Sequence, residues 1–176
     1  MNLKAILVVL PIILVLRAQA QNADTISPAT ELKKNMIYMT VGFAGLYAVV
    51  NGNYERVIAY NEKTFFKYYL VRVGGGYWGA WGGEGTQAVA GFTTLSGSRK
   101  SHLELHLGVA YIFDKYSYDN DVSYSSGSEK PKRSDYTNIS PAGAVGYRYQ
   151  KPGGHFVLRT GVAFPESFYA SVGFCF

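Results

Sequence analysis

Three side chains that could bind a metal alternate along one short stretch of the chain. His102, Glu104 and His106 occupy every second position, and such positions point to the same face of an extended strand. Imidazole and carboxylate groups are common zinc ligands, but a structural zinc site needs a complete tetrahedral set. No fourth ligand is evident in the sequence, and this spacing occurs by chance in many strands, so we predict neither a metal site nor a cofactor.

A serine directly precedes this stretch, so that Ser101, His102 and Glu104 bring a hydroxyl, an imidazole and a carboxylate together. The same groups carry nucleophilic acyl transfer in hydrolases, where the imidazole activates the hydroxyl. A glycine run at 74–83 lacks the Gly-Lys-Ser/Thr ending that a phosphate-binding loop requires. Whether Ser101, His102 and Glu104 can act together depends on the secondary-structure elements that position them.

Apolar and polar residues alternate along most of the chain after residue 35, which is the two-residue period of β-strands. Leucines occupy one face of the stretch around Glu104, and polar side chains occupy the other. The period alone does not decide whether the apolar rows face a core or lipid. On the last stretch the apolar face consists of Phe168, Ala170, Val172, Phe174 and Phe176.

Eight stretches show this pattern, and most are close to the roughly 9 to 11 residues of a tilted membrane-spanning strand. The connection at 114–137 is by far the longest. An even number of strands with long connections at one end is typical of outer-membrane barrels. The predicted strands are 36–43, 47–58, 68–78, 86–95, 101–113, 138–149, 155–164 and 167–176.

The composition is unusual for a water-soluble domain, because only 16% of the residues are charged, against about 25% in typical globular domains. Aromatic side chains, Tyr77 and Trp78 among them, gather toward the predicted strand ends, as in the girdles of membrane barrels. We therefore predict an all-β fold, an eight-stranded antiparallel up-and-down transmembrane β-barrel over residues 36–176. The alternative is a secreted soluble β-sandwich or lipocalin-like barrel, in which the apolar rows face inward.

The N-terminus has the features of a secretory signal peptide. Lys4 precedes an apolar stretch at 5–16, which is shorter than the roughly 20 residues of a spanning helix, and Ala-Gln-Ala at 18–20 supplies a cleavage site. We predict a signal peptide at 1–20, a flexible periplasmic leader at 21–35 and a location in the cell outer membrane. The basic residues are scattered rather than clustered, so no nucleic-acid partner is expected.

An eight-stranded barrel is just wide enough for side chains to fill its interior. The polar faces of the predicted strands contain acids and bases, and isolated charges in so narrow a space would be costly. We predict that they pair in a structural network that blocks diffusion, with a narrow or gated channel as the alternative. The predicted lumen residues are Asn51, Asn53, Glu55, Arg72, His102, Glu104, His106, Arg148, His155 and Arg159.

The export signal, the glycine-rich strands and the C-terminal sequence Ser-Val-Gly-Phe-Cys-Phe at 171–176 together resemble the small outer-membrane β-barrel proteins of Gram-negative bacteria. Two stretches, Asn-Tyr-Glu-Arg at 53–56 and Leu-Glu-Leu-His-Leu-Gly at 103–108, are similar to strand motifs of uncharacterised barrels of Bacteroidetes. The resemblance implies a monomer surrounded by outer-membrane lipid, which contacts the barrel-assembly machinery during biogenesis. The assembly signal that it implies consists of Phe168, Val172, Phe174 and Phe176.

Some barrels of this size are lipid A deacylases, but the adjacent His-Ser pair of that family is absent here, since Ser101 precedes His102. We therefore predict that the protein is not an enzyme and keep a deacylase-like activity as an alternative. The predicted function is a structural or envelope-associated barrel with a plugged lumen. Surface binding or adhesion through the tyrosine- and serine-rich loop 114–137 is a further alternative.

Overall fold

The alternation of inward and outward residues produces eight strands in the computed structural model, which describes residues 32–81, 83–97, 99–114 and 136–176. The predicted signal peptide, most of the predicted leader and nearly all of the loop 114–137 lie outside the described residues. Every predicted strand is present, and its bounds differ from the prediction by at most three residues. The strands are β1 (Asn35–Ala44), β2 (Tyr47–Tyr60), β3 (Phe66–Ala80), β4 (Gly83–Ser96), β5 (Ser101–Asp114), β6 (Tyr136–Gln150), β7 (Phe156–Phe164) and β8 (Ser167–Cys175).

Each strand pairs antiparallel with the next, and β1 also pairs with β8, where Met36 lies opposite Cys175. The sheet is therefore a closed barrel, and the predicted eight-stranded antiparallel fold is confirmed. Closure leaves no unpaired strand edge to attract other chains. Below, the end of the barrel where β1 begins and β8 ends is called the terminal end, and the end where β5 stops and β6 starts is called the loop end.

Three of the four connections at the loop end contain only two residues, whereas those at the terminal end contain four or five. The β1–β2 turn uses Gly45, whose φ of 60° lies in the left-handed region that glycine adopts without strain. The β7–β8 turn consists of Pro165 and Glu166. The segment between β5 and β6 is thus the one long connection at the loop end.

The outer wall of the barrel is apolar and exposed. Leu107 and Phe168 leave 75% and 69% of their surface exposed, while the neighbouring inward residue Glu104 exposes 0%. A soluble sandwich or lipocalin-like barrel would bury Phe156 and Val172 in a dry core, but both side chains are about half exposed. The alternative in which the apolar rows face inward is therefore wrong.

The interior is layered along the barrel axis. At the terminal end, Leu32 folds into the barrel from the residues before β1, and the Lys34 carbonyl accepts a hydrogen bond from the Val57 amide at 2.8 Å. This apolar packing, called the terminal layer, lies between the terminal end and the charged side chains of the lumen. The terminal layer consists of Leu32, Met36, Tyr68, Leu70, Leu95, Val157 and Cys175.

In the described part of the chain, no helix is long and apolar enough to cross a membrane.

Candidate functional site

Four strands place a charged side chain at the centre of the lumen, and these residues form the central cluster: Glu55, Glu104, Arg148 and Arg159. Each points inward because successive side chains of a strand face opposite sides of the sheet, and the neighbours of each face outward. The register of β6 and β7 sets Arg148 directly opposite Arg159, and like charges opposite one another destabilise a sheet. Carboxylates must therefore lie between the two guanidinium groups.

Hydrogen bonds join the carboxylates to both guanidinium groups. Arg148 donates from Nε to Glu104 Oε2 at 2.6 Å and from Nη2 to Glu55 Oε2 at 2.5 Å. Arg159 donates from Nε to Glu104 Oε2 at 3.0 Å and from Nη2 to Glu104 Oε1. Glu104 thus bridges both arginines with charge-assisted bonds, which are about twice as strong as neutral ones.

Two neutral side chains complete the central cluster. The Tyr38 hydroxyl donates to Glu55 Oε1 at 2.7 Å, and Thr93 Oγ1 donates to the same oxygen at 3.3 Å. The Arg159 guanidinium lies 4.2 Å from the centre of the Tyr38 ring, within the range of a cation–π contact. Tyr38 therefore contacts an acid through its hydroxyl and a base through its ring.

A second ion pair lies nearer the loop end. Arg72 donates from Nη2 to Glu166 Oε1 at 2.6 Å and from Nε to Asn53 Oδ1 at 3.0 Å. Asn51 Nδ2 also donates to Glu166 Oε1, at 3.3 Å, and Gln87 Nε2 donates to Asn51 Oδ1 at 3.1 Å. A chain of hydrogen bonds thus runs from the Arg72–Glu166 pair toward the mouth of the barrel.

The lumen is electrically balanced. Among the described residues, the buried charged side chains are three glutamates and three arginines, and each has an oppositely charged partner. A buried charge without a partner would be strongly destabilising, while paired and hydrogen-bonded charges are tolerated. The buried charged residues are Glu55, Glu104, Glu166, Arg72, Arg148 and Arg159.

In the part of the chain that the structure describes, His102, Glu104 and His106 are not brought together as a metal site. His102 Nδ1 and Nε2 lie 2.7 Å and 3.3 Å from the Ser96 and Gln150 carbonyl oxygens, whereas His106 Nδ1 lies 3.0 Å from Thr93 Oγ1. Within the described ranges, no three His, Cys, Asp or Glu side chains are placed to hold a metal ion.

The prediction that His155 points into the lumen is wrong. His155 precedes the first residue of β7, beyond the rim of the barrel, and its ring stacks on Phe174 with centroids 5.0 Å apart. Its Nδ1 lies 3.0 Å from the Cys175 carbonyl oxygen. Strand alternation cannot be extended past the end of a strand, and this is why the prediction failed at this position.

The candidate acyl-transfer residues are not brought together. Ser101 lies on the outer wall, where its Oγ is 2.9 Å from the Tyr147 hydroxyl, while His102 points inward because adjacent strand residues face opposite sides. Glu104 is occupied by Arg148 and Arg159 in the central cluster. The serine and the histidine therefore cannot form the nucleophile–base contact that acyl transfer needs.

Sequence reasoning missed Glu166, which lies between the predicted strands 155–164 and 167–176, and Tyr38, on a strand that contains no charged residue. An acidic residue in a two-residue turn gives no sign of whether its side chain folds inward. The four predicted assembly-signal residues, Phe168, Val172, Phe174 and Phe176, all lie exposed on the outer wall. Tyr77 is exposed as predicted for an aromatic girdle, but Trp78 points into the barrel mouth, so its assignment to the girdle is wrong.

The closed eight-stranded sheet, the apolar outer wall and the charged lumen define an outer-membrane-type β-barrel fold. The chain is similar to the crystal structure of the N-terminal β-barrel domain of Pseudomonas aeruginosa OprF, with a TM-score of 0.60 and 10% sequence identity. The similarity covers 82% of this chain and 98% of that chain, and at this identity it concerns the fold alone. By sequence, the chain matches no protein-family model and no curated protein.

Proposed function

We propose that this protein is an integral outer-membrane β-barrel with a closed lumen and a structural or envelope-associated role that involves no turnover. The observation that carries the proposal is the pairing of charges across the lumen. Glu104 bridges Arg148 and Arg159 in the middle of the barrel, Glu166 holds Arg72 nearer the loop end, and the terminal layer fills the space below.

The outer wall supports placement in a membrane. Exposed apolar side chains cover every strand, and in water such a surface would cause association with other molecules. A closed barrel is one of the two structures that satisfy all backbone hydrogen bonds within lipid. The signal peptide predicted at 1–20 and the likeness to an outer-membrane barrel domain favour the bacterial outer membrane.

The layered interior supports a lumen that does not conduct. An ion on its way through the barrel would have to separate the arginines from their carboxylates, and each separated charge would remain buried in a space of low polarity. It would then meet the terminal layer, where side chains such as Leu70 and Leu95 offer no hydrogen bonds. An ion would therefore meet two barriers in turn, the ion pairs of the lumen and the apolar terminal layer.

Planar-bilayer recording tests this proposal. Full-length protein, shown to be folded by its changed gel migration after boiling, is expected to give no regular conductance steps. A large porin reconstituted in the same bilayer serves as the positive control. Regular steps from the folded protein would contradict the closed lumen and favour the narrow or gated channel.

We propose as a second candidate function surface binding through the loop 114–137, which is favoured by the lengths of the connections at the loop end. The other three connections there contain two residues each, so this loop is by far the longest of the four. Replacing residues 115–135 with Asn-Gly, a preferred hairpin turn, is expected to leave heat-modifiability unchanged. Loss of a measured surface adhesion in this variant would support the second candidate, and retention would count against it.

A further inference from the structure

The basic side chains on the outside of the barrel gather at its terminal end. Apart from the three buried arginines of the lumen, the structure describes eight lysines and arginines, and every one lies at this end. Six of them are exposed, and Lys33 and Lys67 are half-buried. This set, called the basic ring, consists of Lys33, Lys34, Arg56, Lys63, Lys67, Arg99, Lys100 and Lys151.

The basic ring surrounds the barrel axis. The sheet is closed, so the segment before β1 and the three connections of the terminal end are spread around its circumference. Each of these four segments contains at least one exposed member of the ring: Lys34, Lys63, Lys100 and Lys151. A single protein that docked on one side of the barrel would use only part of this arrangement.

The charge of the basic ring is not balanced by the described part of the chain. Glu62 is the one acidic side chain described on the outside of the terminal end. In the described ranges, no ion pair joins a member of the ring to an acidic side chain. The outer wall between the two ends has no basic side chain among the described residues. The positive charge therefore occupies a single level along the barrel axis.

Tyrosines on the outer wall mark the same level. The Tyr54 hydroxyl donates to Asn35 Oδ1 at 2.8 Å, and the Tyr147 hydroxyl lies 2.9 Å from Ser101 Oγ. Tyrosine is enriched where the apolar core of a bilayer meets the headgroups, because its ring is apolar and its hydroxyl is polar. Arg56 lies opposite Asn35, the first residue of β1, and two positions beyond Tyr54 on the same outward face. Its guanidinium group is thereby placed at the level of the lipid headgroups.

We infer that the basic ring binds the headgroups of anionic phospholipids in the leaflet that surrounds the terminal end. The inference rests on the proposed placement of the barrel in a membrane. Lysine and arginine extend their apolar stems along a protein surface and keep the charged group at the interface, where anionic headgroups attract it. Headgroups encircle a barrel on all sides, as the ring does, and this geometry favours lipid over a soluble acidic partner.

Electron paramagnetic resonance of spin-labelled lipids tests the inference. The full chain is folded into phosphatidylcholine vesicles that contain a trace of labelled phosphatidylglycerol or labelled phosphatidylcholine, and the fraction of label immobilised by the protein is measured. At low ionic strength, phosphatidylglycerol is expected to associate roughly fivefold more strongly, the ratio that one basic side chain near an anionic surface provides. Equal association of the two lipids would overturn the inference and leave the membrane barrel intact. Absence of an immobilised fraction with either lipid would contradict the membrane placement, and the inference with it.

Two variants that remove the same charges attribute the preference to the basic ring. The ring variant is expected to lose most of the preference for phosphatidylglycerol, and it combines Lys63→Gln, Arg99→Gln, Lys100→Gln and Lys151→Gln. The control variant is expected to retain the preference, and it makes the same changes in the loop 114–137, at Lys115, Lys130, Lys132 and Arg133. Gel migration before and after boiling establishes that each variant is folded. Equal preference in the two variants would overturn the inference.

Salt and a soluble polyanion distinguish lipid headgroups from the other sources of a preference. Exposed charges are screened by salt, so the preference should disappear as sodium chloride approaches about 1 M, where the Debye length is about 3 Å. A preference that survives this salt would not arise from charge and would overturn the inference. Polyglutamate, added to the protein in phosphatidylcholine vesicles, is the probe for an acidic protein. Polyglutamate binding that the ring variant loses, in the absence of any preference for phosphatidylglycerol, would assign the ring to a soluble acidic partner and overturn the inference.

Discussion

The central cluster and the mouth of the barrel at the loop end are both built from inward residues, yet they hold polar groups in different ways. In the central cluster every carboxylate and guanidinium group has a charged partner, and Glu104 alone accepts bonds from two arginines, although Arg159 Nη1 has no partner among the described residues. At the mouth, Gln87 and Asn51 are joined by a neutral hydrogen bond, and Gln87 Oε1 and Trp78 Nε1 have no described partner. Charge-assisted bonds are the stronger kind, so the middle of the barrel should contribute more to stability than its mouth.

This difference follows from position along the barrel axis. A side chain in the middle layer is surrounded by inward residues of all eight strands and finds partners across the lumen. Nearer the mouth, Gln87 has a neutral partner in Asn51 and is still almost completely buried, with 3% of its surface exposed. Ion pairs therefore stabilise the middle of the barrel, and neutral hydrogen bonds contribute nearer the mouth.

The largest effect is expected from Glu104→Gln. The substitution leaves Arg148 and Arg159 opposite one another without the carboxylate between them, and breaking a buried ion pair costs about 3–5 kcal/mol. Urea unfolding of the protein in lipid vesicles, followed by gel migration, measures the loss. Glu84→Gln makes the same change at the barrel rim and should have little effect. Equal stability of the two variants would show that the central cluster does not hold the barrel together.

The next largest loss of stability is expected from a charged residue on the outer wall. Leu107 is 75% exposed in the middle of β5, and an arginine at the bilayer midplane costs about 2–4 kcal/mol. Leu107→Arg should therefore destabilise the vesicle-embedded protein by that amount, while arginine at Leu46, in a turn at the loop end, should cost much less. A cost at position 46 equal to that at 107 would mean that the wall does not face lipid.

Gly42→Ala should act on the turn that supplies Glu166. A Cβ atom at Gly42 would meet the Glu166 carbonyl oxygen and would lie 2.6 Å from Val49 Cγ1, and overpacking of this kind costs about 1–3 kcal/mol. Gly79→Ala is the control, because nothing lies within 4 Å of a Cβ atom there. The midpoint of unfolding should be lower for Gly42→Ala than for Gly79→Ala. Equal midpoints would show that the turn accommodates the added methyl group without a loss of stability.

The smallest effect is expected from Gln87→Leu. It removes the hydrogen bond to Asn51 but also an acceptor that has no described partner, so the free energy of unfolding should change by no more than about 1 kcal/mol. Thr40→Val, which removes the bonds to Ser171 and Asn53 in the middle of the lumen, is the comparison and should cost more. A larger loss for Gln87→Leu than for Thr40→Val would show that the mouth contributes as much to stability as the middle of the lumen.

Strand alternation predicted the fold and most of the lumen. It places Glu104, Arg148 and Arg159 inward because the residues that alternate with them are mainly apolar, such as Leu103 and Leu158, and face outward. The two-residue period breaks at the register shift between Val57 and Ala59, because Val57 and Tyr60, an odd and an even position, both pack against the terminal layer. Alternation is therefore informative in the regular part of a strand.

Alternation was uninformative at strand ends and in turns, where the errors occurred. His155 lies outside β7, Glu166 folds inward from a turn, and Trp78 follows glycines that leave the two faces of β3 hard to distinguish. The position of Trp78 in the barrel mouth could therefore not be predicted from the sequence. Closure of the barrel brings together residues that are far apart in the sequence, such as Arg72 and Glu166. The sequence alone does not indicate which of them pair.

The most direct test of the account is fractionation of cells that produce the full-length protein, followed by gel electrophoresis with and without boiling. A barrel whose apolar wall faces lipid predicts recovery in the washed outer-membrane fraction and a change in migration on boiling. Recovery in the soluble periplasmic fraction, with the same migration before and after boiling, would contradict the membrane barrel.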